Sequence, residues 1–124
     1  MEEKKRHAKA EYKSRPRPSG IFKITNNANG KILVGSALNL DGMWNRHRFQ
    51  LRMGVHMNKE LQRDWDQFGE ASFSFEVIDE VDPDEAETGR VLQEYLKDLE
   101  DLWLEKLQPF GDKGYNRARK QKLN

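Results

Sequence analysis

The stretch at residues 20–35 constrains the fold more than any other part of this chain. It reads Gly-Ile-Phe-Lys-Ile-Thr-Asn-Asn-Ala-Asn-Gly-Lys-Ile-Leu-Val-Gly. Two short β-rich runs, 21–25 and 31–34, flank residues 26–30, whose Asn and Gly side chains tolerate the positive φ of a tight turn. The pattern predicts a β-hairpin. Gly20 at its entry and Gly35 at its exit mark places where main chain comes close to a neighbour or turns sharply.

Periodicity organises the rest of the chain. Residues 36–39 are expected to turn. Leu40, Met43, Trp44 and Leu51 then recur at helical spacing up to Gly54, which is placed to close a helix over about 40–53. A second helix over about 58–68 carries Leu61, Trp65 and Phe68 on one face and ends at Gly69. Residues 73–78, Phe-Ser-Phe-Glu-Val-Ile, alternate as a third strand with one wet face. A turn at 82–84 leads into a long helix over about 84–107, with Leu92, Tyr95, Leu96, Leu99, Trp103 and Leu107 as its buried stripe. Pro109 and Gly111 stop that helix, and Gly114-Tyr115-Asn116 closes the domain. The order ββααβα predicts an α+β, sandwich-like fold: a small three-stranded antiparallel sheet flanked by helices.

With 124 residues the chain makes one domain. It contains no cysteine, which excludes a disulfide framework and a Cys-based zinc site. No apolar run approaches the roughly 18 residues of a membrane span, and the charged N-terminus has no apolar stretch behind it. A soluble, cytoplasmic protein with no membrane partner is expected. The net charge of +1 conceals an asymmetry. Residues 1–18 form a basic arm, with Lys4, Lys5, Arg6, Lys9, Lys13, Arg15 and Arg17 against Glu2, Glu3 and Glu11. Within it, 1–12 has the makings of a short charged helix, and the prolines keep 15–18 extended. A basic tail over 118–124 comes after the domain at 19–117, and residues 76–101 are strongly acidic. Basic ends suit phosphate; they equally suit plain solvation.

Two positions stand out on spacing alone. Glu100 lies four residues after Leu96 and three before Trp103, at the edge of an apolar stripe. A carboxylate there wants a partner: a metal, a buried cation, or Lys97 or Arg90 at the surface. His47 sits on the stripe of the first helix, where a histidine is either a satisfied core residue or a catalyst.

Gly20-Ile21-Phe22 and Leu33-Val34-Gly35, followed by Ser36-Ala37, resemble the paired motif of the GIY-YIG nuclease family. Trp44-Asn45-Arg46-His47, Gly54-Val55-His56, Leu61-Gln62-Arg63 and Phe68-Gly69 are similar in register to phage-type homing endonucleases, and the likeness covers about 19–117. It implies an α/β fold that cuts nucleic-acid phosphodiesters with one divalent metal, Mg2+ or Mn2+. It also implies His47, His56 and Asn116 as active-site residues and Glu100 as the metal ligand. Three positions depart from the pattern. Phe22 and Leu33 stand where the family has tyrosines, and Met43 stands where it has an arginine beside the scissile phosphate. No hydroxyl remains to assist deprotonation of water and no guanidinium to hold the phosphate, unless Arg46, one turn further on, reaches it.

The leading expectation is therefore a family member that binds nucleic acid, DNA rather than RNA, with cleavage lost or strongly weakened. Arg46, Arg48, Arg52, Lys59 and Arg63 are the expected phosphate contacts. The alternatives are an active metal-dependent DNA endonuclease using His47, His56, Glu100 and Asn116, and an interaction module with Phe22, Leu33 and Met43 lining an apolar groove. Oligomeric state is not legible.

Overall fold

The computed structural model describes residues 18–81 and 89–117. Three strands, β1 (Ser19–Asn26), β2 (Ile32–Ala37) and β3 (Phe73–Val81), form one antiparallel sheet in the order β2-β1-β3. Helices α1 (Met43–Met53) and α2 (Lys59–Phe68) separate β2 from β3, and α3 (Gly89–Leu107) comes after β3. The predicted order ββααβα and the antiparallel three-stranded sheet are both present. The predicted helix over 1–12, the turn at 82–84, the tail at 118–124 and most of the extended arm lie outside the described residues. No helix among the described residues is long and apolar enough to cross a membrane.

The central strand decides the layering. β1 pairs on both edges, and its alternating side chains are buried on both faces. On one face Phe22 and Ile24 join Ala37, Leu40, Leu51, Leu61, Trp65, Phe73 and Tyr115 in a core that α1 and α2 cover. On the other, Ile21 and Val34 pack with Leu104, and Leu99, Trp103 and Leu107 of α3 close over them. Leu104 was not in the predicted stripe of α3, and Tyr95, which was, is exposed. Both lie at the margins of a stripe that advances about 100° per residue, where sequence alone does not say which margin turns inward.

The turn between β1 and β2 behaves as predicted. Gly30 takes φ 83, and the buried Asn26 accepts the Ala28 N–H through its side-chain oxygen at 2.9 Å. Three other boundaries move. Residues 36–37 continue β2 instead of turning, because Gly35 lies opposite Phe22 and leaves room for the ring; a Cβ there would meet Phe22 Cζ at 2.7 Å. The strand runs on through its glycine. β3 extends to Val81 past an irregularity: Phe22 pairs with Val77 and Ile21 with Asp79, leaving Ile78 as an extra residue that resets the alternation. α1 starts at Met43, not near 40, since Gly42 is left-handed at φ 76. α2 is capped by Asn58, whose side-chain oxygen accepts the Leu61 N–H at 3.0 Å.

After α3 the chain returns along the outer edge of β2. Tyr115 N–H donates to the Ile32 carbonyl at 2.8 Å. The Asn116 side chain then imitates a strand partner, accepting Val34 N–H and donating to the Val34 carbonyl, both at 2.8 Å. The Tyr115 hydroxyl donates to Asp64 at 2.7 Å and accepts from Asn26 at 3.1 Å, joining the hairpin turn, α2 and the return segment. Burial, together with the nearby Asp64, pushes this phenol well above its ordinary range.

Candidate active site

Phe22, Leu33 and Met43 all belong to, or pack against, one core. Phe22 is 4% exposed within the core beneath α1 and α2, and Leu33 and Met43, both half-buried, pack against the same core with Trp44 and Phe75. The Phe22 ring stacks on Phe75, with centroids 5.3 Å apart, and tilts against His47 at 5.4 Å. All three side chains are hydrocarbon or thioether and add no hydrogen-bond donor or charge to this core. Because Phe22 is itself buried, it adds little surface to an open groove of the kind the interaction-module alternative requires.

His47, on α1, and His56, in the connection to α2, form a pair: His47 Nδ1 and His56 Nε2 lie 2.8 Å apart. The protons can be placed by elimination. Asn58 N–H, which can only donate, points at His56 Nδ1 from 3.0 Å, so that nitrogen is bare and the proton of a neutral His56 sits on Nε2. His56 then donates to His47 Nδ1, and the His47 proton is left on Nε2. Gln62 holds this arrangement from α2, accepting the His56 N–H at 3.0 Å while donating to the Leu51 carbonyl at 2.9 Å. Burial, reinforced by His56 and Arg46, drives the His47 imidazole down from 6.5 to about 4, and His56 is lowered too, chiefly by burial. Both rings are neutral at pH 7.

Stability therefore depends on pH. Unfolded, His47 takes up a proton near its ordinary pKa of 6.5; folded, it does so only near 4. Between these values the unfolded chain binds more protons, so the stability is complete above 6.5 and is lost as the pH falls toward 4. Urea midpoints are expected to drop between about pH 7 and pH 4.5, and His47→Asn to flatten that slope. An unchanged slope in His47→Asn would place the proton uptake elsewhere.

Glu100 lies on the other face of the sheet, half-buried on α3, and accepts a hydrogen bond from Ser36 Oγ at 2.7 Å. Ser36 was not singled out from the sequence as a site residue. The sequence carried no signal for it, because residues 36–39 read as a turn; only the continuation of β2 to Ala37 turns Val34 and Ser36 toward α3 while Leu33, Gly35 and Ala37 face α1. β2 thus links the two groups: Ser36 carries the contact to Glu100, and its neighbour Gly35 seats Phe22 against His47. Asn116 joins the same strand through Val34, with its amide committed to main chain. No cluster of three or more His, Cys, Asp or Glu side chains able to hold a metal occurs among the described residues. Glu100 offers a single carboxylate.

The basic residues divide. Arg52 grips Glu70 through two hydrogen bonds, at 2.9 and 2.5 Å, and Arg48 lies 3.8 Å from the same carboxylate with its guanidinium over the Trp44 ring. Arg46, Lys59 and Arg63 are exposed, and no ion pair holds them among the described residues.

No family model matches the chain. Intron-associated endonuclease 1 of Enterobacteria phage T4 is 33% identical over 93 residues, which cover 72% of this chain and 33% of that protein. The solved catalytic domain of homing endonuclease I-TevI superposes with a TM-score of 0.66 at 30% identity, over 82% of this chain and 99% of that one. The chain belongs to the family of these GIY-YIG-type homing-endonuclease catalytic domains. A glutamate-to-alanine variant of the same I-TevI domain agrees, with a TM-score of 0.67 at 29% identity over 84% of this chain. This homing-endonuclease-type domain spans a third of the length of the phage T4 relative.

Proposed function

We propose that this domain binds nucleic acid, DNA in preference to RNA, through exposed cations on α1 and α2, and that its phosphodiester cleavage is lost or strongly weakened. The observation that carries this reading is that Phe22 belongs to an apolar core and that Leu33 and Met43, with Phe75 and Trp44, pack against that same core. A phosphate in transfer needs donors and cations at that place, and a hydrocarbon surface offers neither. Binding has weaker requirements, because placed positive charge suffices, and Arg46, Lys59 and Arg63 supply it.

Family membership and the surviving His47, His56 and Glu100 favour the competing reading of an active enzyme. The donor set suits a magnesium-like ion, which takes one or two carboxylates and completes its shell with water and substrate phosphates. Glu100, positioned by Ser36, would hold Mg2+ or Mn2+, and the ion when bound would supply Lewis-acid stabilisation of the leaving oxygen.

The test is nicking of supercoiled plasmid in magnesium or manganese by the wild-type chain and by Glu100→Ala. Equal, background-level nicking by both is expected, together with duplex binding that weakens steeply as salt rises. Nicking that Glu100→Ala abolishes would overturn the loss of cleavage.

A further inference from the structure

Residues 45–59 contain Arg46, Arg48, Arg52 and Lys59 and not one Asp or Glu; Glu70 faces Arg48 and Arg52, which leaves Arg46 and Lys59 as the exposed cations of this run outside that pairing. Large apolar side chains stand exposed within this cationic run. Phe49 is 63% exposed and Met53 61% on α1; Val55 is 61% and Met57 88% exposed on either side of His56. Arg46, Phe49 and Met53 succeed one another at spacings of three and four, so they share one face of α1. An isolated exposed Met or Phe needs no explanation, but Phe49 and Met53 stand exposed together on the face of α1 that also carries Arg46.

Charge selects the occupant. A second copy docked about a two-fold axis would set Arg46 and Lys59 against their own equivalents. The chain's ends are no better suited, since residues 1–18 carry an excess of Lys and Arg and residues 117–124 contain no acid. A polyanion satisfies the cations, and only one with apolar faces inside its charged rim also satisfies Phe49 and the methionines. Stacked bases behind phosphates have that arrangement.

We infer that Phe49, with Met53 on the same face of α1, is an apolar wedge that enters a bound DNA duplex and unstacks a base step, while Arg46 and Lys59 hold the flanking phosphates. The inference rests on the reading that the domain binds nucleic acid. Phe and Met are among the side chains that open base steps in this way, and the energy spent on unstacking is offset by the added contact.

The test uses short duplexes carrying 2-aminopurine at successive positions, with binding followed by anisotropy across a salt series. Wild type is expected to raise the 2-aminopurine signal at one step. Phe49→Ala is expected to abolish that rise, weaken binding about tenfold and keep the salt dependence, while Phe49→Trp retains both signal and affinity. Arg46→Ala is expected to lower the salt slope by about one. Because Phe49 is exposed, Phe49→Ala should melt with the wild type. Salt-dependent binding with a flat 2-aminopurine signal, equal in Phe49→Ala, would overturn the wedge and leave the binding reading standing. Absence of any duplex binding would remove both. A wild-type dimer that Phe49→Ala splits in sedimentation would overturn the wedge in favour of a contact between copies.

Discussion

A chain carrying Phe22→Tyr, Leu33→Tyr and Met43→Arg together is expected to nick plasmid in magnesium at least ~10²-fold faster than the wild-type chain, since single preorganised electrostatic contacts are commonly worth that much. Glu100→Ala in the same background is expected to erase the gain. The three positions already belong to, or pack against, one core, so restoring them acts on one region instead of three scattered ones. Phe22→Tyr adds a single oxygen at a ring tip that lies over Gly35, on the edge strand. Met43 opens α1 and is half-buried, which lets an arginine lay its methylenes along Trp44 and Phe75 and carry its head outward. Each single reversion is expected to yield little, because groups that act on one transition state are not additive. A triple variant that folds, by circular dichroism, yet nicks no faster than the wild type would show that these three side chains do not limit cleavage. The Glu70 clamp on Arg48 and Arg52 would be the next place to look.

The expected gain has the same physical basis as the histidine geometry. Asn58 N–H fixes the proton order of the pair, so that His47 presents Nε2–H. In that state His47 is a donor and not a base. A base has to come from elsewhere, which is the part that a tyrosine at position 22 or 33 would play beside it.

Features set by local chemistry were legible in the sequence. The hairpin turn at 26–30, the closing glycine at 54 and the start of α2 at Asn58 all depend on residues within a few positions of one another. The course of β2 through Gly35 was not legible, because a glycine after Leu-Val ends a strand unless something distant needs its empty side, and Phe22 is thirteen positions earlier. The extra residue at Ile78 likewise shows only in the pairing with β1. For the site, spacing brought His47 to notice and family register added His56, but neither gave a hint that Asn58 and Gln62 would hold them. Arg48 and Arg52 looked like phosphate contacts from their helix alone. Glu70, beyond the end of α2, occupies them, and no periodic pattern reports a pairing across two elements.

Gly114→Ala is expected to destabilise the fold by about 3 kcal/mol, at the upper end of what overpacking costs. The cause is space and not backbone conformation, since Gly114 is extended, at φ −169 and ψ −177, as any residue can be. A Cβ there would meet Pro109 main-chain atoms at 2.3 to 2.5 Å. Those atoms cannot swing aside as a side chain does: Pro109 is buried, and its carbonyl accepts the Asn116 N–H at 3.0 Å. The return segment would have to lift, and the residues behind Gly114 make long-range bonds that would lift with it. Tyr115 would leave Asp64 and Asn26, exposing buried polar groups without partners, and the Asn116 amide would leave Val34. Gly111→Ala is the internal comparison. Gly111 has φ 60 and nothing within 4 Å of a Cβ, so only conformational strain, about 1 kcal/mol, is at stake there. Urea unfolding of both variants separates the two effects, and a Gly114→Ala loss no greater than that of Gly111→Ala would show that the segment yields without breaking its bonds. If the larger loss is found, it reaches the candidate site as well. Asn116 braces Val34 between Leu33 and Gly35, and the edge strand that it braces also carries Ser36 to Glu100 and seats Phe22 against His47.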